Sequence, residues 1–245
     1  MYLVDTTKSH RDVNLVSIKD DLYMAVACDS CGGVGEKEGD VVKVPPYIVG
    51  RFTCRVALME ILSIGSIPIS VTAAICSEPD PTGKGILSGI SDELGDLFLE
   101  IPVTISTEKN IPTCQTGLGI TIIGLVEKEK LRINNTRPGD MLYCIGIPKV
   151  GNEVFLDDPE IPNTLLIKEL LNIPNVHEII PVGSKGIKGE AEMLASCYGL
   201  DIHWKDKLPI DIQKTAGPST CILVTGPTGL EISQAQPVFL LAELK

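Results

Sequence analysis

The sequence predicts an α/β (α+β) fold in two domains, residues 1–136 and 137–245. Three observations predict it. Short β-branched or apolar runs alternate with segments whose apolar residues recur at helical spacing, the pattern of a mixed sheet with helices on one face. A length of 245 residues holds one large or two ordinary domains, and 44% hydrophobic content argues for a folded globular protein. Arg137-Pro138-Gly139-Asp140 is the strongest interruption in the chain, and the boundary is placed just before it.

In order, residues 13–18 and 22–28 read as two strands joined by Lys19-Asp20-Asp21, and Asp29 leaves the sheet edge. Gly32, Gly33 and Gly35 then form a bend whose bare backbone approaches a ligand closely, as an oxygen-rich anion such as a polyphosphate requires; a plain glycine turn is the alternative. Pro45-Pro46 forces extended backbone before a helix over 50–64, in which Phe52, Val56, Leu58, Met59 and Ile61 surround the axis and predict burial on most sides. Glu60 lies inside that helix, where a lone carboxylate is costly unless paired or bound to a cation. Gly65 ends the helix, 69–76 is a strand, and Glu78-Pro79-Asp80-Pro81-Thr82-Gly83 turns into a second, amphipathic helix marked by Ile86, Ile90, Leu94 and Leu97. Gly83-Lys84 lacks the upstream glycine of a Walker loop. Residues 101–106 and 117–126 are strands. The second half reads as strand 141–147, helix 164–172, helix 187–198, strand 220–224 and a strand over 238–244.

Composition narrows the function. A formal charge of -11, from 32 acidic and 21 basic residues, argues against nucleic acid as a partner, and 4% aromatics argue against base stacking. No apolar run reaches the roughly 18 residues of a membrane helix, and the start carries no basic leader. The eight cysteines are spread singly, most of them expected as buried hydrophobes of a reducing cytoplasm. Cys28 and Cys31 form the only C-x-x-C, with no second pair to complete a zinc site. No nucleophile–base order stands out around His10, His177 or His203. Residues 183–186 with Gly189 read either as a second glycine-rich loop before a helix or as a simple turn.

Together these segments resemble the aminoimidazole ribonucleotide synthetase-like superfamily, which includes thiamine-monophosphate kinase and selenophosphate synthetase. Asp29-Ser30-Cys31-Gly32-Gly33-Val34-Gly35-Glu36-Lys37 resembles its Asp-Gly-Val-Gly-Thr-Lys strand exit, with one residue inserted and Glu36 in place of Thr. The helix from Val49-Gly50-Arg51-Phe52 to Gly65-Ser66-Ile67-Pro68 is similar to the one carrying the family's metal-binding Asp, a position taken by Glu60. Ser106-Thr107-Glu108-Lys109-Asn110 stands where relatives carry a Gly-Gly-acid-Thr turn, and the glycines are absent. Arg137-Pro138-Gly139-Asp140 resembles the entry to the second domain. The Ala-Cys-Asp-Ser opening, the Pro-Thr-Gly turn and the Ser-Thr-Glu-x-Asn turn resemble those of α-ribazole kinases of cobalamin salvage.

The resemblance implies a two-domain enzyme, dimeric through N-terminal sheets that build a β-barrel, with a C-terminal α/β sandwich, using ATP and Mg²⁺ on a small-molecule substrate. Asp29, Glu60 and Glu108, joined by Asp12, are then the candidate Mg²⁺ ligands, with Asp29, Glu108 and Asn110 the candidate catalytic residues. Gly32, Gly33, Gly35, Lys37, Lys43, Arg51 and Thr107 are the candidate nucleotide contacts. The alternatives stay beside these: Asp29 as a turn cap, Glu60 as a partner of Arg51 or Arg55, Glu108 as a loop carboxylate. A kinase leads; a ligase or synthetase, or a nucleotide-binding maturation or regulatory protein without turnover, are the other readings.

Overall fold

The computed structural model describes residues 7–232 and 234–245, and of Thr7 and Lys8 the backbone only. The chain divides into two compact units, Met1–Leu62 with Ser66–Lys130, and Ser63–Gly65 with Leu131–Lys245.

The first unit holds β1 (Thr7–His10), β2 (Val13–Lys19), β3 (Leu22–Gly32), β4 (Val34–Gly35), β5 (Val42–Lys43), α1 (Pro46–Ser63), β6 (Ile67–Ile75), α2 (Lys84–Asp96), β7 (Val103–Thr107) and β8 (Gly117–Glu127). Its main sheet has the order β1-β2-β3-β8-β6-β7, antiparallel except for the parallel β6–β7 pair. β3 and β8 pair along their full lengths, from Leu22 opposite Glu127 to Gly32 opposite Gly117. That ladder corrects one expectation. Asp29 does not leave the sheet but pairs with Ile120, because β8 supplies partners for four residues beyond Cys28 that have little strand preference of their own. The sheet is open among the described residues, so the barrel expected from the resemblance is not closed within one chain.

Strand alternation gives this sheet one covered face. Ala25 and Ala27 of β3, Ile120 and Ile122 of β8, and Val71 and Ala73 of β6 are buried there under α1 and α2, whose Leu58, Ile61, Ile86 and Ile90 are fully buried. Pro46 opens α1 at the first helical position, where its missing N–H is no loss. α1 and α2 approach backbone to backbone: a Cβ on Gly50 would stand 2.1 Å from the Ile86 carbonyl oxygen, and one on Gly89 would stand 2.1 Å from that of Tyr47. Ion pairs close the crossing. Arg51 Nε and Arg55 Nε each lie 2.9 Å from Glu93, and Arg51 Nη2 lies 2.5 Å from Asp96.

The second unit holds β9 (Met141–Gly146), α3 (Thr164–Leu171), β10 (Glu178–Pro181), α4 (Gly186–Tyr198), β11 (Ile202–Trp204), β12 (Cys221–Gly226) and β13 (Val238–Leu244). Its sheet, ordered β10-β12-β9-β13-β11, is antiparallel throughout. Ile187, Ala191 and Leu194 of α4 pack with Leu142, Leu223 and Leu241 in one buried cluster. Asn163 caps α3 by accepting from Leu166 N at 3.0 Å, and Gly199 ends α4 in the left-handed conformation. The buried Glu178 accepts from Asn135 N at 2.7 Å and from the Tyr198 hydroxyl, tying the entry to this unit onto α4. No helix among the described residues is long and apolar enough to cross a membrane.

The cysteine expectation is corrected as well. Cys54, Cys144 and Cys221 are buried, but Cys28, Cys76, Cys114 and Cys197 are exposed. Cys28 and Cys31 stand three positions apart on one strand and so point to opposite faces.

Candidate active site

The sheet of the first unit gathers its chemistry at one end. β3, β6 and β7 finish there and β8 begins there, since Gly32 pairs with Gly117, Ile75 with Leu118, and Thr107 with Ile75. The glycine segment 32–44 folds over this end. Its fastening is local and specific: Gly33 N donates to Thr116 O at 3.0 Å, Gly39 N to Cys114 O at 2.8 Å, and Val41 N to Gly33 O at 2.7 Å.

Asp40 organises the segment, a role the sequence reading missed. Its buried carboxylate accepts from Lys37 N at 2.9 Å, Thr116 N at 2.8 Å and Thr116 Oγ1 at 2.8 Å. Burial opposes its charge, but the bonds from Thr116 and Lys37 prevail and hold the carboxyl below its ordinary range. Gly35 makes the clasp possible. With φ +152°, a Cβ there would stand 2.3 Å from Thr116 Oγ1 and 2.7 Å from Asp40 Oδ2. Gly35→Ala is therefore expected to destabilise the chain by about 3 kcal/mol in urea unfolding, through backbone strain and the loss of the clasp.

Between this segment and residues 112–117 runs an open groove of about 670 Å³, lined by Gly32, Gly33, Val34, Val41, Cys76 and Thr113 among others. The candidate nucleotide contacts divide around it. Gly32 and Gly33 line it, while Gly35 supports its wall. Lys37 Nζ donates to Glu78 Oε2 at 2.5 Å and to Thr113 O at 3.2 Å. Glu78, also bonded by the Thr82 hydroxyl, is carried down to about 2 against the opposing effect of burial. Lys43 Nζ donates to Lys37 O at 2.5 Å and to Glu38 O at 3.2 Å. Thr107 packs beside Gly83, where a Cβ would meet its methyl at 3.4 Å. Arg51 is a correction: it is 8% exposed and committed to Glu93 and Asp96 in the helix crossing, so it does not face the groove.

The expected convergence of four carboxylates is also corrected. Among the described residues, no group of three or more His, Cys, Asp or Glu side chains is placed to hold a metal ion. Asp29 shares the covered face with Ala27 and Cys31. Burial pushes it up to about 6, against the Ser30 backbone bond, and no cation among the described residues offsets its charge. Burial of the Cys31 thiol, and then the Asp29 charge, raise that thiol. Glu60 is paired with Arg11 at 3.7 Å, not with Arg51 or Arg55, because Glu93 takes both of those arginines. Glu108 caps its own turn, accepting from Asn110 N at 2.7 Å and Ile111 N at 3.0 Å, and these bonds lower its carboxyl. Its strand, β7, lies three strands from β3, roughly 14 Å at the usual strand spacing. Asp12 is exposed in the β1–β2 turn, which runs beside Cys28 and Asp29 because Val13 pairs with Ala27. In the second unit, the turn 183–186 is tied to its neighbours by Ala216 N to Gly183 O at 3.1 Å and Lys188 N to Ile212 O at 2.8 Å.

This donor set fits a single Mg²⁺ brought in by a polyphosphate. Mg²⁺ is commonly held by one or two carboxylates plus phosphates and waters, and Asp29 is a partly desolvated carboxylate with no counter-charge among the described residues.

With that geometry in hand, comparison with solved structures places the architecture. Thiamine-monophosphate kinase from Stenotrophomonas maltophilia K279a aligns over 98% of this chain and 89% of its own, with a TM-score of 0.66 and 16% identity. This chain has the same fold. AaThiL, complexed with AMPPCP and TMP, aligns over 96% of this chain and 84% of its own, with a TM-score of 0.64 and 15% identity. T. maritima PurL, complexed with AMPPCP, aligns over 95% of this chain but only 37% of its own, with a TM-score of 0.62 and 15% identity. No protein-family model and no curated protein sequence matches.

Proposed function

We propose that this chain is an ATP- and Mg²⁺-dependent kinase acting on a small molecule. The observation that carries the reading is the open glycine-walled groove at the same sheet end as Asp29, whose charge no cation among the described residues offsets. The shared fold supports it, because AaThiL and PurL are named as complexes with the nucleotide analogue AMPPCP. In this reading the apolar wall of Val34 and Val41 accepts the nucleoside, and the backbone at Gly32 and Gly33 lets the phosphates approach. Asp29 holds the metal, whose chemistry is to neutralise charge on the transferring phosphoryl group. Lys37 acts indirectly, by fixing the glycine segment against Glu78.

The finer proposal is a nucleoside acceptor of the α-ribazole type, with catalysis in the cytoplasm. The open sheet face carrying Ser30, Thr72 and Thr121 serves as the surface of a homodimer. A synthetase chemistry is the second reading, favoured by the fold shared with PurL. Purified protein incubated with Mg-ATP and a panel of nucleosides decides between them. ADP release that depends on a nucleoside supports the kinase, and ATP binding without turnover by any acceptor removes it.

Asp29 also sets a pH dependence. Its carboxyl titrates at about 6, so below that pH protons compete with the metal. Mg²⁺ affinity is expected to fall about tenfold per pH unit below 6 and to level off above it, read by calorimetric titration. A flat profile from pH 5 to pH 7 excludes Asp29 as the anchor.

A further inference from the structure

Arg11 carries three unfavourable features at one position. It lies in the two-residue turn between β1 and β2, across which His10 pairs with Val13, and its φ of +53° is in the left-handed region that side chains avoid. Its side chain turns inward and is only 3% exposed. There Nη2 stands 3.7 Å from Glu60 Oε2, well beyond the reach of a charge-assisted hydrogen bond. Nε and Nη2 are both buried, and neither has a hydrogen-bond partner among the described residues. A guanidinium offers five donors in a rigid fork, and leaving buried donors unmade is costly. Of the other buried arginines of the unit, Arg55 Nε donates to Glu93 at 2.9 Å, and Arg51 Nε, which also makes no hydrogen bond, still stands 2.9 Å from a Glu93 oxygen, closer than Arg11 comes to Glu60.

The sheet determines what lies next to this side chain. Val13 pairs with Ala27, so the turn just before it passes Cys28 and Asp29 on the neighbouring strand. The side chain reaches Glu60 of α1, the helix that covers the face Asp29 shares, while the Arg11 charge does not act on Asp29 itself. Burial, and then the Arg11 charge, holds His10 down at about 4, so the neighbouring imidazole is neutral and adds no cation.

We propose that Arg11 is a phosphate-binding residue, whose fork leaves Glu60 to take two phosphoryl oxygens of a ligand anchored at Asp29. A planar, permanently charged fork matches the geometry of phosphate oxygens, which supply the acceptors that Nε and Nη2 lack. Release breaks no hydrogen bond at Nη2, because the Glu60 contact is long. The strained turn supplies the same bias, since backbone held in a sparsely populated conformation concentrates at ligand clamps. The inference rests on the nucleotide reading for the ligand's identity, and the shared chemistry is a phosphoryl oxyanion, from a nucleotide or from inorganic pyrophosphate.

The test titrates the full chain with Mg-ATP and, separately, with magnesium pyrophosphate by calorimetry, for wild type, Arg11→Gln and Arg11→Lys, alongside thermal unfolding. Arg11→Gln is expected to weaken both ligands by about tenfold or more, and Arg11→Lys by less, because ammonium keeps the charge but not the fork. Arg11→Gln is also expected to unfold no lower than wild type, whereas a structural arginine would lower the midpoint. A folded Arg11→Gln with wild-type affinity for both ligands overturns the proposal. Where Arg11→Gln does not fold, wild-type affinity of Arg11→Lys overturns it instead. The outcomes separate the two readings: ATP binding untouched by the variants removes Arg11 and leaves the kinase standing. Pyrophosphate binding lost in Arg11→Gln, with no ATP binding by wild type, removes the kinase and leaves Arg11. Wild type that binds neither ligand removes both.

Discussion

Asp29→Asn is expected to abolish metal-dependent ATP turnover, by about a hundredfold or more, while raising the thermal midpoint of the metal-free protein. The sign follows from the titration. In the folded chain the carboxyl is raised to about 6 from its ordinary 3.8, with burial the cause. Its protonated form therefore favours folding, a benefit complete below pH 3.8 and lost as pH rises through 6. At neutral pH the partly buried, ionised carboxylate opposes folding by about 2 kcal/mol, and the neutral, nearly isosteric amide removes that opposition. Thermal melts in EDTA at pH 7.5 should show the variant several degrees above wild type, and added Mg²⁺ should narrow the gap by stabilising wild type alone. Turnover at the wild-type rate would take Asp29 out of the site. A lower midpoint would mean that its carboxylate has a stabilising partner in the fold.

Glu93→Ala carries the largest expected stability loss, about 3–5 kcal/mol in urea unfolding. Glu93 is 1% exposed, and two buried arginines, Arg51 and Arg55, each lie 2.9 Å from it. Removing it leaves two guanidinium charges in the α1–α2 crossing. Arg51 keeps Asp96, and Arg55 keeps, among the described residues, its position 4.9 Å above the Phe52 ring. The control is Asp96→Asn, whose half-exposed carboxylate predicts a loss of about 1 kcal/mol or less. Equal losses from the two variants would show that burial of the Glu93 cluster is not the source.

The sequence made the long elements legible for physical reasons that act within a few residues. The apolar girdle of α1 and the apolar alternation of β8 need no knowledge of partners, and the first glycine bend announces itself by composition. What stayed hidden depends on distant pairing. Asp40 and Thr116 are 76 residues apart in sequence, and Glu93 meets Arg55 across 38, so nothing near Asp40 or Glu93 marks its role. The same holds for Asp29 within β3: Ser30, Cys31 and Gly32 extend only because β8 lies alongside. The carboxylates misled for a related reason. Glu60 and Glu108 satisfied a motif, but a charge on a helix finds the nearest cation, here Arg11, and a carboxylate at a strand end bonds the free amides of its own turn.

The position of β8 at the centre of its sheet governs how this chain is made. During synthesis β3 and β6 emerge from the ribosome well before the strand that joins them, so the nascent sheet exists as two halves, each presenting an unpaired rim. Closure waits until Glu127 is clear of the exit tunnel and then occurs across a separation of up to 105 residues, between Leu22 and Glu127. Until then the two rims lack the strand that pairs with both in the finished sheet.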